Sequence, residues 1–259
     1  MAPPPSFDLL APIYQLLERV TFGGLLHRCR TAHLDRLAGC HRALILGDGD
    51  GRFLADLLHA NPSVRVDSVD ISPGMIHHAR HRVARIASAS QRVRFLVADA
   101  RSVPLADTHY DLIVTNFFLD CFPVDELERV IDRLVVACGP AAVWVDGDFR
   151  FPARGWARVV ARAALAAMYA FFRLTTRLPA RRLTDPAPFL VARGFHQEAE
   201  RAWLGGFLSA RLWAREFAAL GREKGPAQAQ GDARMALPGL HFFRKSRCRA
   251  SLRGSLSAG

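Results

Sequence analysis

Gly47-Asp48-Gly49-Asp50-Gly51 stands between a short apolar run, 43–46, and a stretch of helical periodicity, 52–60. Glycines carry no Cβ, so the chain can turn tightly and a ligand can lie against bare peptide groups. A helix starting there also brings the unsatisfied N–H groups of its first turn. Asp70 ends a second apolar run, 23 residues after Gly47. A carboxylate in that place can accept both hydroxyl hydrogens of a ribose. Asp99, followed by Ala100, closes a third run and offers a carboxylate to an adenine amino group. A dinucleotide fingerprint would need another glycine at position 52; Arg52 occupies it, so the G-x-G-x-x-G pattern of nicotinamide enzymes fails.

These residues need elements that bring them to one edge. Between 43 and 150, short apolar runs alternate with helical stretches: strands at 43–46, 64–69, 93–97, 110–115 and 141–145, helices at 52–60, from Ser72-Pro73 onward, and at 125–137. Gly139-Pro140 is read as the break after the last of these helices. Alternation at this spacing predicts right-handed βαβ crossovers, hence an α/β fold with a parallel sheet and helices on both faces. Further on, 187–193 reads as a short helix stopped by Gly194. Strands at 195–204 and 207–213 then flank Gly205-Gly206, a hairpin signal.

Taken together and in order, residues 43–51, 69–73, 98–100 and Tyr110-Asp111-Leu112-Ile113-Val114-Thr115-Asn116 resemble the successive motifs of class I S-adenosylmethionine-dependent methyltransferases. A weaker match at 190–195 extends the likeness toward the last strands. The resemblance implies a Rossmann-like seven-stranded sheet, mostly parallel with an antiparallel last strand, and S-adenosylmethionine as cofactor. It implies that Gly47, Gly49 and Gly51 line the methionine part, that Asp70 holds the ribose and Ile71 the adenine face, that Asp99 and Ala100 meet the adenine amino group, and that Asn116 and Phe117 lie near the transferable methyl. The family usually has an acidic residue two before the first glycine, where this chain has Ile45. Asp48 is the candidate to supply the missing charge, with Asp50 as the other acid of the turn. Phe117-Phe118 is expected to wall the pocket.

An insertion at about 151–182 follows the fifth strand. Arg154, Arg158 and Arg162 recur every four residues, and Trp156, Val159, Val160, Leu165, Met168, Phe171 and Phe172 give an apolar surface. A basic, aromatic amphipathic helix of this kind suits an anionic membrane surface, with 154–182 as the contact. Its placement, with Phe7-Asp8 and Ala11-Pro12-Ile13-Tyr14 near the start, is loosely similar to the ubiquinone/menaquinone-biosynthesis branch, which implies a small, apolar, lipid-borne or quinone-like acceptor.

Charge is divided. Residues 1–150 hold 16 Arg against 18 acids, net −2, and the remainder holds 19 Lys+Arg against 6 acids, net +13; the two sum to the chain's +11. A basic half points to an anionic partner. It also keeps an RNA methyltransferase as an alternative, although no RNA-binding module is recognisable and no specific nucleic acid is expected. The other alternative is a non-catalytic binding protein that keeps the fold. Five scattered cysteines without a C-x-x-C pair give neither a disulfide framework nor a metal site, and a reducing cytoplasm is expected. The start, MAPPPSFDLL, lacks the pattern of a signal peptide. The apolar run 163–172 is half the roughly twenty residues a spanning helix needs, so at most a peripheral membrane association is expected. The organisation expected is cap helices over 1–40, a methyltransferase domain over 41–216 and a basic low-complexity tail over 217–259. Methyl transfer needs an aligned, desolvated nucleophile more than a catalytic triad. Asp120, Tyr14, Tyr169 and His196 can take a proton, and no catalytic side chain is assigned.

Overall fold

The computed structural model describes residues 24–105, 109–151 and 183–215. The chain enters through helix α1 (Leu25–Arg30) and a 3-10 turn (Leu34–Leu37). It then runs β1 (Arg42–Leu46), α2 (Arg52–Ala60), β2 (Arg65–Asp70), α3 (Pro73–Val83), β3 (Val93–Val97) and β4 (Tyr110–Val114). After a 3-10 turn (Leu119–Cys121) come α4 (Val124–Ala137), β5 (Cys138–Phe149), α5 (Ala187–Ala192), β6 (Phe195–Trp203) and β7 (Leu208–Arg215). Of the span 1–40 expected to hold cap helices, residues 24–40 are described and contain α1 and the first 3-10 turn, and the rest lies outside the described residues. The amphipathic stretch 154–178 and the tail beyond 217 lie outside the described residues.

The sheet has seven strands in the order β3-β2-β1-β4-β5-β7-β6. Strands β1 to β5 pair in parallel, and β7 lies antiparallel between β5 and β6. Because β1 pairs with both β2 and β4, strand order reverses beside it. In open α/β sheets that reversal leaves a crevice at the carboxyl ends of the strands.

Alternation along the strands sends successive side chains into two cores. Ile113 and Trp144 pack with Leu127, Val130, Ile131 and Leu134 of α4. Their neighbours Leu112, Val114 and Val145 pack with Phe53, Leu54, Leu57 and Leu58 of α2. Each of these large side chains contributes about 1.5–3 kcal/mol on burial. Helix α3 starts as the sequence predicts: Pro73 fits the first turn, and Ser72 Oγ accepts the Met75 N–H at 3.1 Å.

Strand β5 departs from expectation. The sequence suggested 141–145 with Gly139-Pro140 outside, whereas the strand begins at Cys138 and runs to Phe149. Proline lacks a donor, and the ladder tolerates it because the β4–β5 register shifts between Tyr110 and Leu112. At its far end β5 keeps pairing because β7 covers it, Asp146 opposite Arg211 and Asp148 opposite Ser209.

Candidate active site

The glycine turn is held in shape by backbone that only glycine adopts easily. Gly47, Gly49 and Gly51 have φ of 66°, 62° and 77°. Gly47 N–H donates to Val69 O at 2.9 Å, tying the turn to the end of β2. A Cβ on Gly47 would stand 2.5 Å from Cδ2 of Phe118, and one on Gly51 would stand 2.8 Å from the Ala79 Cβ. The first glycine therefore admits the aromatic ring that follows β4, and the third lets α2 and α3 meet.

Asp70 reaches this turn. Its Oδ2 accepts the Gly49 N–H at 3.1 Å and its Oδ1 accepts the Ser72 N–H at 2.9 Å. Ala98 N–H donates to Asp70 O at 3.0 Å, so the ends of β2 and β3 are joined as well. Asp99 lies beyond that link in the grip of Arg101: Nε donates to Oδ2 at 2.8 Å and Nη2 to Oδ2 at 2.6 Å, while Nη1 reaches Glu126 at 3.3 Å. Burial alone would raise the Asp99 carboxyl; the Arg101 guanidinium outweighs it and holds Asp99 below the usual carboxylate range. Ala100 is buried in the core beside it.

The acids inside the turn have different lives. Asp50 Oδ2 accepts Arg82 Nη2 at 2.7 Å and Arg52 Nε at 3.1 Å. Asp48 Oδ2 accepts the Leu54 N–H at 2.9 Å, satisfying a first-turn donor of α2. Burial pushes the Asp48 carboxyl up to about 7, against the Leu54 N–H and the Arg30 charge. Ile45 is a core residue against α2, so the position normally acidic in this motif serves packing here.

Beyond β4 the backbone continues along β5, with Thr115 N–H donating to Val145 O at 3.0 Å and Phe117 N–H to Gly147 O at 2.7 Å. Phe117 takes a left-handed φ of 52°, a conformation that costs a non-glycine residue about 1–2 kcal/mol. The Arg30 guanidinium sits 4.9 Å above the Phe117 ring, and Phe117, Phe149 and Phe207 follow one another at 5.4 Å between centroids. Asn116 is buried with neither its amide oxygen nor its nitrogen partnered among the described residues.

The structure thus brings the glycine turn, Asp70 and Phe118 into contact at the carboxyl edge, with Ile71 directly following Asp70, while Asn116 lies against Gly147 and Phe117 against Phe149. Asp99 and Ala100 stand one strand further out. Residues that the sequence did not single out also belong to this edge. Arg101 holds Asp99, and Asp146 and Asp148 sit buried at the end of β5. Two acids spaced by one residue after an apolar run were the available signal. Among the described residues no group of three or more His, Cys, Asp or Glu side chains is arranged to hold a metal.

Residues 43–141 match a family model described as a methyltransferase domain. Over this span the chain is similar to the class I S-adenosylmethionine-dependent methyltransferases. It is 34% identical over 115 residues to the ubiquinone/menaquinone biosynthesis C-methyltransferase UbiE of Syntrophotalea carbinolica, covering 44% of this chain and 47% of that protein. It is 30% identical over 151 residues to a demethylmenaquinone methyltransferase of Thermus thermophilus, covering 58% of this chain and 66% of that one. The match thus spans about half of the first relative's length and 66% of the second's. In fold, the chain is similar to the N-methyltransferase NodS of Bradyrhizobium japonicum, solved with S-adenosyl-L-homocysteine: TM-score 0.54 at 18% identity, over 78% of this chain and 97% of that one. The seven-stranded class I methyltransferase sheet expected from the motifs is the sheet observed.

Proposed function

We propose that the protein transfers a methyl group from S-adenosylmethionine to a small, apolar, quinone-like acceptor bearing a ring hydroxyl. The observation that carries this reading is the convergence of three separate motifs on the glycine turn: Gly49 N–H on Asp70 after β2 and Phe118 after β4 over the bare Gly47. A left-handed glycine turn at the point where strand order reverses, bordered by the Asp70 carboxylate, fits an adenosyl ligand with a charged amino-acid end.

In this reading Asp70 orients the ribose, Asp99 holds the adenine edge, and the peptide groups of 47–51 carry the methionine part. When bound, S-adenosylmethionine supplies an electrophilic methyl on a positively charged sulfur. The chain's own part is positional. Arg101 fixes the Asp99 carboxylate, the left-handed turn at Phe117 sets the approach from β4, and the Phe117-Phe149-Phe207 row, its rings tilted by 47–58° to one another, gives a dry apolar wall. Exclusion of water there favours a desolvated nucleophile.

The names of the relatives support a quinone-type acceptor, and the basic, aromatic stretch 154–182 supports one presented at an anionic lipid surface. No helix among the described residues is long and apolar enough to cross a membrane, which suits contact through that stretch. The test is direct: incubate the full chain with methyl-labelled S-adenosylmethionine and a prenylated 1,4-naphthohydroquinone, free and in anionic vesicles. Label in the quinol, faster with vesicles and slower after deletion of 154–178, is the expected result. Label only in RNA from a cell extract, or in no fraction, would overturn the reading.

A further inference from the structure

Helix α3 divides its residues sharply between two faces. Ile76, Ala79 and Val83 are buried, and a Cβ on Gly51 would stand 2.8 Å from the Ala79 Cβ, so the inner face rests on the glycine turn. His77, His78, Arg80 and His81 lie on the exposed side. His77 and His81 are four residues apart, which places them one above the other on a single stripe of the helix. Their rings are in contact, with centroids 4.4 Å apart and planes at 74°. His78 belongs to a different stripe, about 100° further round the helix, and its ring centroid lies 6.0 Å from that of His77.

The surroundings of these two rings set them apart from other histidines of the chain. His27, His41 and His196 each lie near a carboxylate, Asp56 at 3.4 Å, Asp111 at 3.5 Å and Glu198 at 3.9 Å. Residues 73–83 contain no acid, and among the described residues no carboxylate pairs with His77 or His81. The neighbouring cations are drawn elsewhere. The Arg80 guanidinium sits 5.5 Å above the Phe95 ring of β3. Arg82 donates through Nη2 to Asp50 Oδ2 at 2.7 Å and through Nε to Asp50 O at 2.9 Å. Arg85, past the end of the helix, lines a cleft with Arg52 and Asp56 of α2. Two imidazoles are left against each other, with no protein hydrogen bond claiming their ring nitrogens among the described residues.

We infer that His77 and His81 form a chelating site for a divalent transition metal of the imidazole-seeking class, Cu²⁺, Ni²⁺ or Zn²⁺. Metal–nitrogen bonds of about 2.0–2.1 Å require the two ligating nitrogens to stand about 3 Å apart. Rings that already touch on adjacent turns reach this spacing by rotating about their own side-chain bonds, which exposed residues do in picoseconds to nanoseconds. The i, i+4 spacing is the one by which an H-E-x-x-H helix presents two histidines to zinc. Here His78 stands in the place of that motif's glutamate, so the arrangement binds metal without supplying a hydrolytic base. With two protein ligands, the other coordination positions remain with water. The bound ion bridges one turn of α3. An unfolded chain holds the two rings at no fixed spacing, so binding favours the folded helix.

The experiment titrates the chlorides of Cu²⁺, Ni²⁺ and Zn²⁺ into the full chain by calorimetry and follows the melting temperature. It compares wild type with His77→Ala, His81→Ala and His78→Ala. All three positions are exposed, and alanine is the best helix former, so the variants keep the fold. Wild type should bind copper most tightly and melt at higher temperature as metal is added. Affinity should fall at least about tenfold in His77→Ala and in His81→Ala, and stay unchanged in His78→Ala. Unchanged binding in the first two variants, or an equal loss in all three, would overturn the inference. Histidine ring resonances give a second readout: with Zn²⁺ those of His77 and His81 should move together, and their failure to move would also overturn it. Neither readout uses S-adenosylmethionine or an acceptor, so the metal site stands or falls separately from the proposed function.

Discussion

Gly47 and Phe118 are in contact across the crevice: the ring occupies the space a Cβ on residue 47 would need, 2.5 Å from Cδ2. The turn after β1 and the segment after β4 thereby define each other. Gly47→Ala would meet both a left-handed φ of 66° and that ring, and is expected to cost about 2–4 kcal/mol in urea unfolding. Gly47→Ala combined with Phe118→Leu should regain the overpacking part and leave the backbone part. Equal losses in the single and double variants would mean that the ring does not press on the turn.

Asp48 gives a pH signature. Its ordinary value is 3.8 and its folded value about 7. The folded state therefore holds the proton more tightly than the unfolded chain, and the stability this gives is lost as pH rises from about 4 through 7. Asp48→Asn keeps an oxygen for the Leu54 N–H and removes the titration. Its stability relative to wild type should climb between pH 4 and 8 by about 2 kcal/mol, after allowance for the partial exposure of the site. A difference that stays flat with pH would contradict the burial of this carboxyl. The same variant tests whether Asp48 replaces the charge missing at Ile45: S-adenosylmethionine affinity should fall about tenfold, and unchanged affinity would assign Asp48 to α2 alone.

The ends of the insertion are pinned by charge. Arg150 Nη1 lies 2.6 Å from Asp185 Oδ1, and Arg211 Nη2 touches both Asp185, at 3.0 Å, and the fully buried Asp146, at 2.7 Å. Arg211→Met removes a principal cation from Asp146 and should cost about 3–5 kcal/mol in urea unfolding. Asp185→Asn changes a half-exposed partner and should cost less than about 1 kcal/mol. The reverse ranking would show that the network is anchored at Asp185 and not on the sheet.

Asp99 is a site residue whose charge is already spoken for by Arg101. If it also meets the adenine edge, Asp99→Ala should weaken S-adenosylhomocysteine binding by about 1.5–3 kcal/mol in calorimetry. Asp99→Asn should weaken it less, because an amide oxygen can still accept. Equal, negligible losses would leave Asp99 with a structural role only.

Much of this was legible in the sequence because it is local. The glycine turn, the Ser72-Pro73 start and the period-two runs each depend on residues within a turn or a strand, and 52–60 is the helix that its apolar spacing predicts. The far half of β5 was not legible. Asp146, Gly147 and Asp148 look like the end of a strand, and they remain in one because Arg211, 65 residues later, neutralises Asp146 from β7. Pro140 likewise reads as a breaker until the register shift against β4 makes room for it. The capture of Asp99 by Arg101 lies two residues away and was readable in principle, whereas the approach of Asn116 to Gly147 depends on the sheet order.

Isothermal titration of the full chain with S-adenosylhomocysteine tests the central claim most directly. The account predicts one ligand per chain, a rise in melting temperature with ligand concentration, and at least about tenfold weaker binding in Asp70→Ala. Neither heat nor a melting shift in wild type would contradict it.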